Sequence, residues 1–198
     1  MGLYAIPCVL FAGGKSSRMG EDKAFLPFGE HESLIAYQVK RLKTLFSEVY
    51  ISAKEEKKYS ELNTKVIEDR FYSEISAPTT GFFNINKFLK NKECFFVLSV
   101  DTPFVNKDII DRLLKVDTKM YDAVIVKTPL GIHPLCGIYT QKLAPHMQEM
   151  IENDDHKITK LLKKSKVFYL EVQEEVLLSN LNTPDEYHNA LKILKQHC

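Results

Sequence analysis

The chain has 198 residues, and 27 Lys+Arg against 26 Asp+Glu leave a formal charge of +1. A chain of this length suits one domain spanning residues 1–198, which should bury roughly 70 % of the surface its unfolded form exposes. A composition of 44 % hydrophobic and 27 % charged residues excludes a disordered chain. The near-neutral balance argues against a nucleic-acid partner, and the lack of any apolar run near ~20 residues argues against a membrane span.

The apolar opening, Met1 to Ala12, has no positive n-region and no small-residue cleavage site, so it reads as a first buried strand, Ile6–Phe11. Ile35, Val39, Leu42 and Phe46 follow at helical spacing. Strands are then expected over Glu48–Ala53, Lys65–Glu68 and Cys94–Val100. The first and the last of these four strands are apolar on both faces, which a strand needs when helices cover it on both sides. Asn106 is a good N-cap for a helix carrying Ile109, Ile110, Leu113 and Leu114. Further strands are expected over Ala123–Val126, Leu135–Tyr139 and Lys166–Leu170, with the stretch from about Gly131 to Leu170 read as an elaboration made of shorter elements. Thr183, Pro184 and Glu186 open a last helix with a capping box, and Tyr187, Leu191 and Leu194 give it an inner face. Lys54–Lys58 and Lys157–Lys164 read as solvated helix faces.

Strands alternating with helices predict an α/β fold, a single doubly wound, mostly parallel sheet with helices on both faces. Cys8, Cys94, Cys136 and Cys198 form no C-x-x-C pair and read as reduced thiols, from which a cytoplasmic location follows.

Three of the eight glycines fall in Ala12-Gly13-Gly14-Lys15-Ser16-Ser17-Arg18-Met19-Gly20-Glu21-Asp22-Lys23, directly after the first strand. Glycines let main-chain N–H groups close on a ligand, and successive N–H groups form an anion site. The spacing matches neither G-x-G-x-x-G nor G-x-x-x-x-G-K-[ST]. A glycine pair with two cations at the end of a buried strand still favours polyphosphate over a merely flexible basic loop, since ligands of open α/β sheets sit beyond the carboxyl ends of strands.

The stretch Phe11 to Lys23 resembles the L-A-G-G-x-S-x-R-M-G-x-D-K signature of nucleotidyltransferases with a Rossmann-like fold, and most of all that of the molybdenum cofactor guanylyltransferases. Further landmarks occur in that family's order. These are Lys65-Val66-Ile67-Glu68-Asp69, Val100-Asp101-Thr102-Pro103, His133-Pro134-Leu135 and Asn180-Leu181-Asn182-Thr183-Pro184. The chain departs from the pattern at Ala77-Pro78-Thr79-Thr80-Gly81, where the family has G-P-L-x-G, at Val100 in place of a cysteine, and at Ser52, where an Asn often contacts the nucleoside.

The resemblance implies transfer of GMP from GTP to the terminal phosphate of molybdopterin, with release of pyrophosphate and a need for Mg2+. It implies a catalytic set of Arg18, Lys23 and Asp101, with Asp101 as the metal ligand. It implies GTP binding by Phe11, Ala12, Gly13, Gly14, Lys23, Ser52, Asp69, Gly81 and Asp101, and molybdopterin binding by His133, Asn180 and Asn182.

The chemistry of these residue types agrees. An attacking phosphate is already anionic, so positioning and positive charge matter more than a general base. Lysine supplies a point charge and arginine a fork for phosphate oxygens. Magnesium commonly takes one or two carboxylates together with substrate phosphates. Asp101 directly follows a central strand; its alternative role, capping the next helix, suits Asn106 better. Asp69 could meet either base or ribose, or form a turn, and His133 could be structural. Asn182 could simply order the turn before Thr183. Two other functions compete: a cytidylyltransferase or sugar-phosphate nucleotidyltransferase on the same fold, and a catalytically silent nucleotide-binding module. Transient hand-over of the product to cofactor-biosynthesis proteins or apo-molybdoenzymes is compatible with the first reading.

Overall fold

The computed structural model describes residues 3–12, 22–72, 74–75 and 77–196. Among these residues seven strands, β1 (Cys8–Phe11), β2 (Val49–Ala53), β3 (Lys65–Glu68), β4 (Cys94–Ser99), β5 (Ala123–Thr128), β6 (Gly131–Thr140) and β7 (Val167–Glu171), form one sheet in the order β3-β2-β1-β4-β6-β5-β7. All neighbours run parallel except β6, which is antiparallel to both β4 and β5. Every strand expected from the sequence is present. The first begins at Cys8 because Pro7 has no N–H for the ladder, although its carbonyl accepts from Phe96 N–H at 2.8 Å.

Among the described residues, six α-helices cover the sheet: α1 (Leu34–Lys43), α2 (Pro78–Phe88), α3 (Lys107–Leu114), α4 (Ala144–Glu152), α5 (Ile158–Lys164) and α6 (Pro184–Gln196). Alternation along the central strands sends Cys8, Leu10, Phe96 and Leu98 to one face, where they meet α1, α3 and α6. Val9, Phe11, Phe95 and Val97 point to the other, where they meet α2, α4 and α5. This is why β1 and β4 read as continuous apolar runs.

The caps expected at Asn106 and at Thr183–Glu186 act as such, and Ser33 adds one that the sequence reading did not name. The Ser33 hydroxyl accepts from Ala36 N–H and the Asn106 amide oxygen from Ile109 N–H. Glu186 accepts from the Asn182 and Thr183 N–H groups, while Thr183 Oγ1 accepts from Glu186 N–H. Asn106 therefore fills the capping role that competed for Asp101.

Three features differ from the sequence expectation. Helix α1 stops at Lys43, so Phe46 reaches the core from the following turn, stacked on Phe96 at 5.3 Å. The stretch from Gly131 onward is no elaboration of shorter elements: β6, at ten residues, is inserted in the middle of the sheet. A register shift opposite Ile125/Val126 absorbs Pro134 and its neighbours, which broke the strand pattern in the sequence. Lys54–Lys58 leads into a run of 3-10 turns over Glu56–Leu62, whereas Ile158–Lys164 is a helix that buries Ile158, Leu161 and Leu162.

Candidate functional site

The chain lays β1, β2 and β3 outward on one side and then returns to place β4 on the other side of β1. That reversal opens a crevice beyond the carboxyl ends of β1 and β4, the usual ligand position in such sheets. Antiparallel β6 brings its amino-terminal half, Gly131–His133, to the same edge.

Asp101 sits in the turn after β4, and its carboxylate receives the Lys23 ammonium at 2.5 Å. Lys23 also donates to the Asn182 amide oxygen at 3.1 Å. Both charged side chains keep 15 % exposure, enough to be reached from the crevice. Main chain closes the arrangement: Leu181 N–H donates to the Asp101 carbonyl at 3.0 Å, and Thr102 Oγ1 donates to the Ser99 carbonyl at 2.9 Å. Residues 159 positions apart in sequence thus share one hydrogen-bond cluster.

Two clefts continue from this cluster. One of about 210 Å3 is lined by Asp101, Thr102, His133, Pro134, Leu135 and Asn180 among others. It shares His133 and Asn180 with a larger one of about 570 Å3, lined also by Phe104, Thr128, Glu175 and Asn182. The His133 ring is half-buried, with Nε2 3.0 Å from Thr128 Oγ1, and burial pulls its pKa below the usual 6.5. It is therefore neutral at pH 7. The three residues expected on the acceptor side thus line one cleft, and Asn182 in addition touches Lys23.

On the other side of the crevice stand Ser52, Asp69 and Gly81. Asp69 follows β3, is 8 % exposed, and its Oδ1 finds no hydrogen-bond partner among the described residues. Burial pushes its carboxyl pKa up to about 6, against a partial opposing pull from Lys54. Gly81 lies in the first turns of α2, where a Cβ would come within 2.6 Å of the Phe11 ring and 3.1 Å of Ser52 Oγ. Glycine lets α2 press on β1 and β2 there, because the space a Cβ would take is filled by Phe11 and Ser52. Ser52 is buried in that contact.

Phe11 and Ala12 are likewise engaged internally. The Phe11 carbonyl accepts from Val100 N–H at 2.9 Å and Ala12 N–H donates to the Ser52 carbonyl at 3.0 Å. Gly13, Gly14 and Arg18 lie outside the described residues, as does Cys198; Cys8, Cys94 and Cys136 are free thiols.

Among the described residues, no group of three or more His, Cys, Asp or Glu side chains could hold a metal unaided. The donor set does fit a divalent cation shared with a substrate. Asp101 offers an acceptor-only carboxylate facing the crevice and already draws a cationic group, and magnesium needs no more protein than that when phosphates complete its shell.

Residues 8–168 match the family model described as the MobA-like NTP transferase domain. The chain belongs to that family. It is a nucleotidyltransferase, as the glycine-rich signature implied. It is 37 % identical over 195 residues to the molybdenum cofactor guanylyltransferase of Campylobacter jejuni, covering 98 % of this chain and 100 % of that one. The corresponding Helicobacter pylori enzyme is 33 % identical over 196 residues, covering 96 % and 94 %. The molybdopterin-guanine dinucleotide biosynthesis protein A of Archaeoglobus fulgidus superposes with a TM-score of 0.81 over 96 % of this chain and all of its own. At 21 % identity that likeness speaks to the fold.

Sequence reasoning missed Asn84. From the inner face of α2 it brackets Phe71, accepting from its N–H at 3.2 Å and donating to its carbonyl at 3.1 Å, and so holds the chain just past Asp69. Its signal was a polar residue four positions after Thr80 on an apolar face, but helix α2 itself was not read. Tyr139, wholly buried, carries no signal in the sequence beyond its place in a strand; its hydroxyl donates to the Pro134 carbonyl at 2.6 Å and fixes the segment carrying His133.

Proposed function

We propose that this protein transfers GMP from GTP to the terminal phosphate of molybdopterin, forming the guanine dinucleotide of the cofactor and pyrophosphate, with Mg2+ as the required cation. The observation that carries this reading is the cluster of Lys23, Asp101 and Asn182 opening onto the cleft of His133 and Asn180. Full-length relatives named for this activity support it.

The acceptor phosphate oxygen attacks the α-phosphorus of GTP. One P–O bond forms there as the bond to the bridging α–β oxygen breaks, and pyrophosphate leaves with the electron pair. The attacking oxygen is anionic at neutral pH, so the residues need supply orientation and charge only. Lys23, held between Asp101 and Asn182, is aimed to bind the phosphate chain together with Arg18 and the backbone at Gly13 and Gly14. Asp101 would hold magnesium, which when bound neutralises phosphate charge. Asp69 offers a carboxylate that can accept from guanine N1–H and N2–H2, groups that adenine and cytosine do not present together. Phe11, Ala12, Ser52 and Gly81 build the floor under the nucleotide. His133, neutral, and Asn180 offer donors and acceptors to the acceptor substrate.

No described helix is long and apolar enough to cross a membrane. A cytoplasmic location and transient hand-over to apo-molybdoenzymes accord with this function.

Pyrophosphate release by the purified protein with Mg2+ tests the reading. GTP with molybdopterin should turn over. Turnover only with CTP would make it a cytidylyltransferase, turnover only with a sugar phosphate would move the acceptor, and nucleotide binding without release from any acceptor would make it a silent binding module.

A further inference from the structure

Helix α1 carries two polar side chains that face inward. Gln38 is wholly buried, and the Arg41 guanidinium lies beside it, enclosed enough that burial pulls its pKa below the usual arginine value. A guanidinium turned inward is costly unless its donors are matched. Here no carboxylate among the described residues pairs with it; its partners are Gln38 Oε1, reached by Nε at 3.2 Å and Nη2 at 2.6 Å, and the Val105 carbonyl, reached by Nη1.

The fork settles the orientation of the Gln38 amide. Because Oε1 must face the two Arg41 donors, Nε2 faces the opposite way, toward the Val100 carbonyl at 3.2 Å. The pair therefore grips main chain at residues 100 and 105, the two ends of the segment that holds Asp101, Thr102 and Pro103. Val100 and Val105 are themselves buried, so the grip acts on anchored backbone. A leucine at position 38 would serve the apolar stripe equally well; what the polar pair adds is a fixed path for this segment.

We propose that Gln38 and Arg41 are positioning residues for Asp101, setting its carboxylate where a divalent cation and the nucleotide phosphates meet. This rests on the metal role of Asp101 given above. Neither side chain touches substrate; each acts through the Val100–Val105 backbone.

Two variants separate positioning from bulk stability. Gln38→Glu keeps an acceptor for Arg41 but removes the donor to Val100 and sets a carboxylate oxygen against that carbonyl. Arg41→Lys keeps the charge but loses the fork that orients Gln38. Binding of Mn2+ to the protein with a non-hydrolysable GTP analogue is read by electron paramagnetic resonance, alongside kcat, the KM for GTP and melting. Both variants should weaken Mn2+ binding about fivefold or more and lower kcat about tenfold or more, with the KM for GTP at saturating metal within about threefold of the parent. Should Arg41→Lys fail to fold, Gln38→Glu, which retains the Arg41 contact, decides alone. Normal Mn2+ binding and kcat with only a lowered melting temperature would overturn the proposal. Asp101→Ala is measured beside them. If it weakens Mn2+ binding and the two variants do not, the positioning role alone falls; if it leaves Mn2+ binding unchanged, the metal role falls first and this inference with it.

Discussion

Replacing Asp69 by Asn should stabilise the substrate-free protein at neutral pH while impairing its use of GTP. Asp69 is 8 % exposed, Oδ1 has no partner among the described residues, and burial raises its pKa from 3.8 to about 6. Its folded pKa lies above its unfolded one, so between these values the native state holds more protons and stability falls as pH rises. The penalty is absent below pH 3.8, grows through the window to about pH 6 and is complete above it. A shift of roughly two units corresponds to about 3 kcal/mol at pH 7, as an order of magnitude. Asn removes the charge at nearly the same shape. Urea unfolding at a series of pH values between 4 and 8 should show the variant gaining on the parent as pH rises, with the two converging near pH 4. The KM for GTP should rise about tenfold or more in the variant, because a carboxylate accepting two donors has been replaced by an amide that can accept only one well. A difference in stability that is independent of pH, or a variant less stable than the parent at pH 7.5, would refute the burial argument.

Gly81→Ala should lower the urea midpoint despite alanine's better helix propensity: overpacking against Phe11 at 2.6 Å costs ~1–3 kcal/mol against a propensity gain of ~1, and Phe11→Leu in the same chain should restore part of the loss. Asp101→Ala and Lys23→Ala should each reduce pyrophosphate release by about 100-fold or more, with near-normal melting, as expected when charge is removed from a preorganised phosphate site. Asn182→Ala should lower kcat and raise the KM for GTP, because it removes one of the hydrogen bonds that orient Lys23 beside Asp101; an effect confined to the KM of the acceptor would place Asn182 on the acceptor side alone. Tyr139→Phe should cost about 1 kcal/mol in urea unfolding and raise the KM for the acceptor, since Pro134 beside His133 loses its donor.

The strands were legible because burial on one or both faces leaves period-two or continuous apolar runs, as in Phe95-Phe96-Val97-Leu98. Asn106 and the Thr183–Glu186 box were legible because a cap is a local hydrogen-bond problem with few solutions. Helix α2 was not, since Thr79-Thr80-Gly81-Phe82-Phe83 has weak helix propensity and is made helical by packing on β1 and β3. The glycine-rich signature and Asp101 stood out in the sequence, but the neighbours of Gly81, Ser52 and Asn182 were not legible there.

Residue order alone determined that this chain builds an α/β sheet and which side chains have the chemistry for phosphate and metal, because periodicity, capping and functional-group type are properties of short segments. Tertiary structure decided that β6 enters the sheet between β4 and β5, that Asn182 meets Lys23, and that Gln38 and Arg41 hold the Asp101 segment. The side-chain contacts join positions 62 or more residues apart, and the burial that gives them their energy exists only after the sheet has closed around them.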